Sequence, residues 1–224
     1  MSPELSILCV TNELPRTNPF IQHYFDVAVM LKLHDIDAEV VIARDGKDVH
    51  SQGYIESALD EAVALTSGRY VLRIDDDERI SPAMARWLSR GEFRAAPNWT
   101  FPRVHFWRDV NTVIFERYYF PDPQTRLSVR QMAGGNRQIH SASPYGSGET
   151  AKVCLEHHVY LVKSYEERIE TAKRYNAIMH GGDGGQYRAS AIEDEHPEGL
   201  NCMSYEDGAI PWKAKKIFIE GPLR

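Results

Sequence analysis

Two rhythms of apolar and polar positions alternate through the first third of this chain, one suited to strands and one to helices. Leu5-Ser6-Ile7-Leu8-Cys9-Val10-Thr11 is a nearly unbroken apolar run and reads as a buried strand. Asn12-Glu13 opens a polar loop that Pro15 and Pro19 interrupt. Ile21, Tyr24, Phe25, Ala28 and Leu31 then recur at helical spacing and predict a helix over 20–33. A second apolar run predicts a strand over 38–43, stopping at Arg44-Asp45-Gly46. Ile55, Ala58, Leu59, Ala62 and Leu65 share one face of a helix predicted over 54–66. Tyr70, Leu72 and Ile74 alternate with Val71 and Arg73 in a third strand. Strands alternating with helices imply an α/β fold with a mostly parallel sheet and right-handed crossovers.

The third strand runs directly into Asp75-Asp76-Asp77-Glu78, and Ser81-Pro82 read as a helix cap and first helical residue. The acids therefore fall on a strand-to-helix turn, where open α/β sheets bind ligands. Successive side chains of an extended chain point to opposite sides, so Asp75 and Asp77 are expected to share a face and Asp76 to take the other. A cation between Asp75 and Asp77 relieves their repulsion, and hard carboxylate oxygens suit Mg2+ or Mn2+. Asn12-Glu13, Asp45 and Asp75-Asp76-Asp77 follow successive strands and are expected to converge on one rim of the sheet.

Past a short helix over 82–89 the pattern changes. Aromatic and β-branched residues predict strands over 99–107 and 112–120, with Asp109-Val110-Asn111 as a hairpin turn. Pro121-Asp122-Pro123-Gln124 breaks the chain before a short strand over 125–130. Two glycine-rich loops flank His140 and lead to Glu149. A strand predicted over 153–162 carries His157 and His158, which would face opposite sides. Ser164 and Glu167 form a capping box for a helix reaching residue 179, which Gly181-Gly182-Asp183-Gly184-Gly185 stops.

Composition narrows the function classes. A chain of 224 residues fits one large domain, or one domain with an appendage. A net charge of −6 excludes a broad polyanion-binding surface and leaves room for a local basic patch. Cys9, Cys154 and Cys202 form no zinc pattern and suit a reducing compartment. No signal-like segment opens the sequence, and no run approaches the roughly 20 apolar residues that span a bilayer. The expectation is a cytoplasmic protein without a transmembrane segment. Neither the Rossmann glycine fingerprint nor a Walker A loop follows the first strand.

One set of motifs, taken in order, resembles the family 2 glycosyltransferases of GT-A fold over residues 4–180. It comprises the first strand with Asn12-Glu13, the stretch from Gly68 to Ser81, Phe101-Pro102-Arg103, and Asp122-Pro123-Gln124-Thr125-Arg126-Leu127. It closes with His157-His158 ahead of Lys163-Ser164-Tyr165-Glu166-Glu167-Arg168 and Lys173-Arg174-Tyr175. The resemblance implies a GT-A-like (Rossmann-like) mostly parallel sheet with helices on both faces and a smaller mixed acceptor-side region. It implies a nucleotide-sugar-binding half over 1–98 and an acceptor-side half over 99–180; residues 181–224, beyond the resemblance, are expected to form a C-terminal extension that is in part mobile. It further implies an enzyme of hexosyltransferase type that moves a sugar from a nucleoside-diphosphate sugar to an acceptor hydroxyl with inversion. The favoured donor is a uridine-diphosphate sugar.

Carried over by position, Asp75 and Asp77 match the Asp-x-Asp pair of that family. Asp77 would ligate Mn2+ or Mg2+, and Asp75 would contact the ribose or metal-bound water. His158 would be a further metal ligand. Thr11, Asn12, Glu13, Asp45 and Asp76 would line the donor, and Arg126 or Lys173 would add positive charge at the diphosphate. An inverting transfer also needs a general base for the acceptor hydroxyl. Relatives carry His-Glu where this chain has His140-Ser141, so the expected carboxylate is replaced. Glu149, His140 and Asp183 are the substitutes, in that order, and Asp122 is a further possibility. The acceptor is left open among a glycan, a lipid-linked sugar, a protein side chain and a modified nucleobase. Two alternatives stand beside this reading: a sugar-phosphate nucleotidyltransferase, and a non-catalytic module that binds nucleotide sugars.

Overall fold

The computed structural model describes residues 2–11, 14–44, 58–115, 119–134, 148–180 and 202–205. Strand β1 (Leu5–Thr11) is buried along its whole length and is the axis of the molecule. Strand β2 (Ala38–Arg44) pairs with it in parallel on one side and β3 (Tyr70–Asp75) in parallel on the other. Close approach of β3 to β1 depends on Gly68, where a Cβ would meet Ser6 and Leu5 atoms at 2.6–2.8 Å.

Alternate residues of β1 feed two cores. Leu5, Ile7 and Cys9 pack with Phe20, Tyr24, Val27 and Leu31 of helix α1 (Leu14–Lys32). Leu8 and Val10 pack with Leu59 and Ala62 of helix α2 (Leu59–Ala64). The parallel trio is therefore sandwiched between helices, as the alternating pattern predicts. Helix α1 begins six residues before the predicted start and contains Pro19. The apolar periodicity marks the part of the helix that packs, whereas the first turns carry no such signal.

Beyond the acids come β4 (Glu78–Ile80) and α3 (Pro82–Ser89), where Ser81 Oγ accepts the Met84 N–H at 3.1 Å. The second half adds β5 (Asn98–His105), β6 (Thr112–Ile114), β7 (Asp122–Val129), β8 (Glu149–Thr150) and β9 (Leu155–His157). Helices α4 (Val159–Val162) and α5 (Tyr165–His180) follow, and β10 (Cys202–Ser204) returns to pair with β6. The main sheet runs β2-β1-β3-β7-β5-β9-β4, with β8 beside β5.

An unbroken parallel order holds for the first trio, and β8 and β9 lie parallel to β5, but the pairs between and beyond them do not. β7 is antiparallel to both β3 and β5, and β4 is antiparallel to β9, so the α/β sheet is mixed rather than mostly parallel. β7 and β5 continue the sheet begun by β1 to β3, so the two sequence halves share one sheet. Of the run predicted as a strand over 153–162, only Leu155–His157 is one. The chain then coils into α4, with the Leu161 and Val162 N–H groups donating to the His158 carbonyl. β7 starts at Asp122, earlier than predicted, because Pro123 lies opposite Pro102 and two residues lacking N–H donors face each other. The capping box is present: the Ser164 N–H reaches Glu167 Oε2 at 2.7 Å, and the Glu167 N–H reaches Ser164 Oγ at 3.2 Å. Of the C-terminal extension only 202–205 lies within the described residues. Among those residues no helix is long and apolar enough to cross a membrane.

Candidate active site

β3 ends at Asp75, and Asp76 and Asp77 form the turn into β4. The expected strand alternation of Asp75 and Asp77 therefore stops after the first acid, and each carboxylate takes a separate set of partners. Asp75 is held by Arg126 Nη2 of β7, a short contact, and by Arg73 Nε at 3.1 Å. Asp76 accepts a hydrogen bond from Thr11 Oγ1, at the carboxyl end of β1, at 3.3 Å. Asp77 is buried; its Oδ2 accepts from Lys163 Nζ at 2.6 Å and its Oδ1 faces His157 Nε2 at 3.3 Å.

Glu78, fully buried, closes the floor of the site. Its Oε1 accepts from Arg126 Nη2 at 2.7 Å and from Arg103 Nη1 at 2.9 Å, and its Oε2 accepts the Asp75 N–H at 3.0 Å. Arg103 also donates to Asp122 Oδ2 at 2.7 Å, and the same oxygen lies 3.0 Å from His105 Nε2. His105 Nδ1 lies 2.8 Å from His157 Nδ1. A continuous path, buried from His105 onward, thus links Asp122, His105, His157 and Asp77.

These environments separate the acids. Burial opposes ionisation of Asp75, but Arg126 and then Arg73 outweigh it and hold the carboxyl below its ordinary range. Burial is likewise overcome at Asp77, where Lys163 keeps the carboxyl well below its usual range. At Asp76 the charge of Lys163 pulls the same way but does not prevail. Burial, and then the charge of Asp77, push its carboxyl up to about 6. Burial, and then the charge of Arg103, pull the His157 imidazole down to about 3, so it is neutral beside an ionised Asp77. His105 is also lowered, first by burial. Among the described residues, Asp75, Asp76, Asp77, Glu78 and Asp122 face the cations Arg73, Arg103, Arg126 and Lys163, which leaves one negative charge in excess once Asp76 ionises.

Sequence-predicted site residues divide into three groups. Thr11, Asp75, Asp76, Asp77 and Arg126 are brought together. His158 is held elsewhere: its ring stacks on Phe106 at 4.5 Å and its Nε2 lies 3.2 Å from Glu156 Oε2. Only its backbone N–H reaches Asp77, at the carbonyl. His157, on the opposite side of the chain, presents its ring to the Asp77 carboxylate. Glu149 is exposed on β8, opposite Trp99 at the start of β5, while His105 and His157 pair at the other end of that strand. Six residues of strand separate the two, on the order of 20 Å, so Glu149 stands apart from the acidic turn. Asp122 is drawn below its ordinary range despite its burial, above all by Arg103, and is not poised as a base. Lys173 is exposed on α5. Asn12, Glu13, Asp45, His140 and Asp183 lie outside the described residues.

Lys163, Arg103, His105 and Glu78 join the site without having been assigned to it from the sequence. Lys163 and Arg103 sit inside the motifs quoted above, but a partner 86 or 25 residues away leaves no local pattern. Among the described residues no group of three or more His, Cys, Asp or Glu side chains is arranged to hold a metal ion. Comparison with known proteins gives no match to a family model and none to a curated protein.

Proposed function

We propose that this chain is a glycosyltransferase of GT-A type that takes a sugar from a nucleoside-diphosphate donor. The observation that carries the reading is the position of the acidic turn. From β1 the chain moves to β2 on one side and then crosses to β3 on the other, so the crevice between the carboxyl ends of β1 and β3 is the switch point of the sheet. Open α/β sheets bind ligands in that crevice. Thr11 and Asp76 span it at 3.3 Å, with Asp75, Asp77, Arg126 and Lys163 around it. The resemblance favours uridine diphosphate as the nucleotide, and an acceptor hydroxyl as the partner.

A departing diphosphate develops negative charge that cations must offset. Arg126 and Lys163 supply two, and the excess carboxylate in the cluster supports a third. The donor set fits a divalent cation carried in with the donor: Asp77 Oδ1 and His157 Nε2 offer two lone pairs 3.3 Å apart. Mg2+ is commonly held by one or two carboxylates plus substrate phosphates, and an imidazole beside a carboxylate favours Mn2+. In this reading the ligands are Asp77 and His157, and Asp75 serves to orient Arg126. His140 and Asp183 are the candidates for the base.

One contact favours a second reading. Lys163 Nζ lies 2.6 Å from Asp77 and stands where a metal would otherwise neutralise it, as in a transferase that needs no metal. A thermal-shift screen of nucleoside diphosphates and nucleotide sugars, each with and without Mn2+, tests both. Stabilisation by one nucleotide series follows from mass action if the donor site exists. Metal dependence lost in Asp77→Ala supports the first reading, and equal shifts without metal support the second. No shift with any nucleotide overturns both.

A further inference from the structure

The path from the half-buried Asp122 to Asp77 has three links and two imidazoles. Asp122 Oδ2 to His105 Nε2 is 3.0 Å, His105 Nδ1 to His157 Nδ1 is 2.8 Å, and His157 Nε2 to Asp77 Oδ1 is 3.3 Å. Each link needs one proton between two acceptor lone pairs. Two neutral imidazoles carry only two. One link must therefore be without a proton, and the three lengths say which. The short links lie at Asp122 and between the rings, and the long one lies at Asp77. An ionised Asp122, fixed by Arg103, can only accept, so His105 carries its proton on Nε2. Its Nδ1 is then a bare acceptor and takes the Nδ1–H of His157. That leaves the Nε2 lone pair of His157 facing a carboxylate oxygen with nothing between them.

We propose that His105, oriented by Asp122, is a positioning residue that locks His157 with its proton on Nδ1 and its Nε2 lone pair aimed at Asp77, ready for a divalent cation. The inference rests on the reading of Asp77 and His157 as cation ligands and adds the device that makes His157 one. Without His105, the favoured state of His157 reverses. Its Nε2–H would donate to Asp77, a charge-assisted bond, and the lone pair would be lost to the ring's other side. Outer partners of this kind fix ring tautomer, and their loss costs about 10–100-fold in metal affinity. The surroundings keep the lock rigid: the His105 ring packs edge-on against Tyr119 at 5.9 Å and lies 6.2 Å from Tyr160.

Two variants separate the lock from packing. His105→Asn keeps an acceptor near the Nδ1 position, and His105→Phe keeps the aromatic volume but no acceptor. The first readout is the tautomer of His157 in metal-free, 15N-histidine-labelled protein near neutral pH, from long-range 1H–15N correlations. The proposal expects Nδ1–H in the wild type and in His105→Asn, and Nε2–H in His105→Phe. Wild-type His157 protonated on Nε2, or on both nitrogens, overturns it, and this outcome needs no variant to fold. The second readout is calorimetric titration with preformed Mn2+–pyrophosphate, which commits to no base. The expected result is binding by the wild type, retained within a few-fold in His105→Asn and weakened about 10–100-fold in His105→Phe. Equal affinity in all three overturns the lock. Absence of binding by a wild type that shows the Nδ1–H tautomer overturns instead the cation reading of Asp77, and the two failures are thereby told apart.

Discussion

Glu78 offers the sharpest test of how this site is held together. The perturbation is Glu78→Gln, which keeps the volume and removes the charge. Glu78 is fully buried and serves two guanidinium groups at once, Arg126 at 2.7 Å and Arg103 at 2.9 Å, as well as the Asp75 N–H at 3.0 Å. Those arginine side chains are only 4% and 14% exposed, so water cannot replace the lost carboxylate. The glutamine oxygen can serve one donor, while its NH2 group points at a guanidinium or a backbone N–H. Breaking a buried ion pair by removing one partner costs roughly 3–5 kcal/mol. Arg126 keeps Asp75 and Arg103 keeps Asp122, which draws the expectation towards the lower end. For a chain of this length the midpoint falls by about 2–4 °C per kcal/mol, so a loss of roughly 6–20 °C is expected. Urea unfolding followed by tryptophan fluorescence measures the free energy directly. Glu61→Gln, at an exposed position of α2, is the control and changes stability by no more than about 0.5 kcal/mol. A Glu78→Gln loss below about 1 kcal/mol, with an unchanged urea slope, would refute Glu78 as the shared counter-ion.

Further predictions concern single groups. The Asp76 carboxyl rises from 3.8 to about 6 on folding, so the native state holds a proton that the unfolded chain has already released between those values. Its contribution favours the fold at low pH and is lost as pH rises through about 6; Asp76→Asn therefore stabilises by roughly 1–3 kcal/mol near neutral pH. That gain vanishes near pH 4, and urea midpoints across the range that stay parallel for the two proteins would contradict it. Ser164→Ala removes one half of the capping box and costs about 0.5–2 kcal/mol, read by urea unfolding. Gly68→Ala forces a Cβ into Ser6 and Leu5 and costs roughly 1–3 kcal/mol, read in the same assay. A neutral Gly68→Ala would show that β3 can shift away from β1.

The parallel trio was legible because each of its strands carries its own signal. β1 is a closed apolar run, and β3 alternates until the first acid. The capping residues Ser81 and Ser164 were legible for the same reason, since a cap is a local hydrogen bond. The later strands were harder to read. Val159 to Val162 looks like a strand by residue type, yet it coils into α4, because β-branching reports packing more than backbone preference. The acids were found by composition and misread in geometry: the extended spacing of Asp75 and Asp77 ends where β3 ends. The choice between His157 and His158 turned on which face meets Asp77, and register against β4 and β5 decides that rather than anything local. Glu149 follows a glycine-rich loop that carries no register signal, and its pairing opposite Trp99 sets it at the far end of β5.

The sheet order also has a consequence for how this protein comes into being. Apart from Arg73, the cations that neutralise the acids of β3, β4 and the turn between them are synthesised after those acids. Arg103 follows Glu78 by 25 residues, Arg126 by 48, and Lys163 follows Asp77 by 86. A nascent chain that has released only β1 to β4 holds its acids together with Arg73 but without Arg103, Arg126 and Lys163. It also lacks β9, the partner that ties β4 into the sheet. Such a segment has little reason to commit early, because its long-range contacts come late and loop closure must precede them. Folding is therefore expected to wait for the last third of the chain and then to proceed as a unit. The charge network that shapes the site thus also delays its assembly until the chain can complete it.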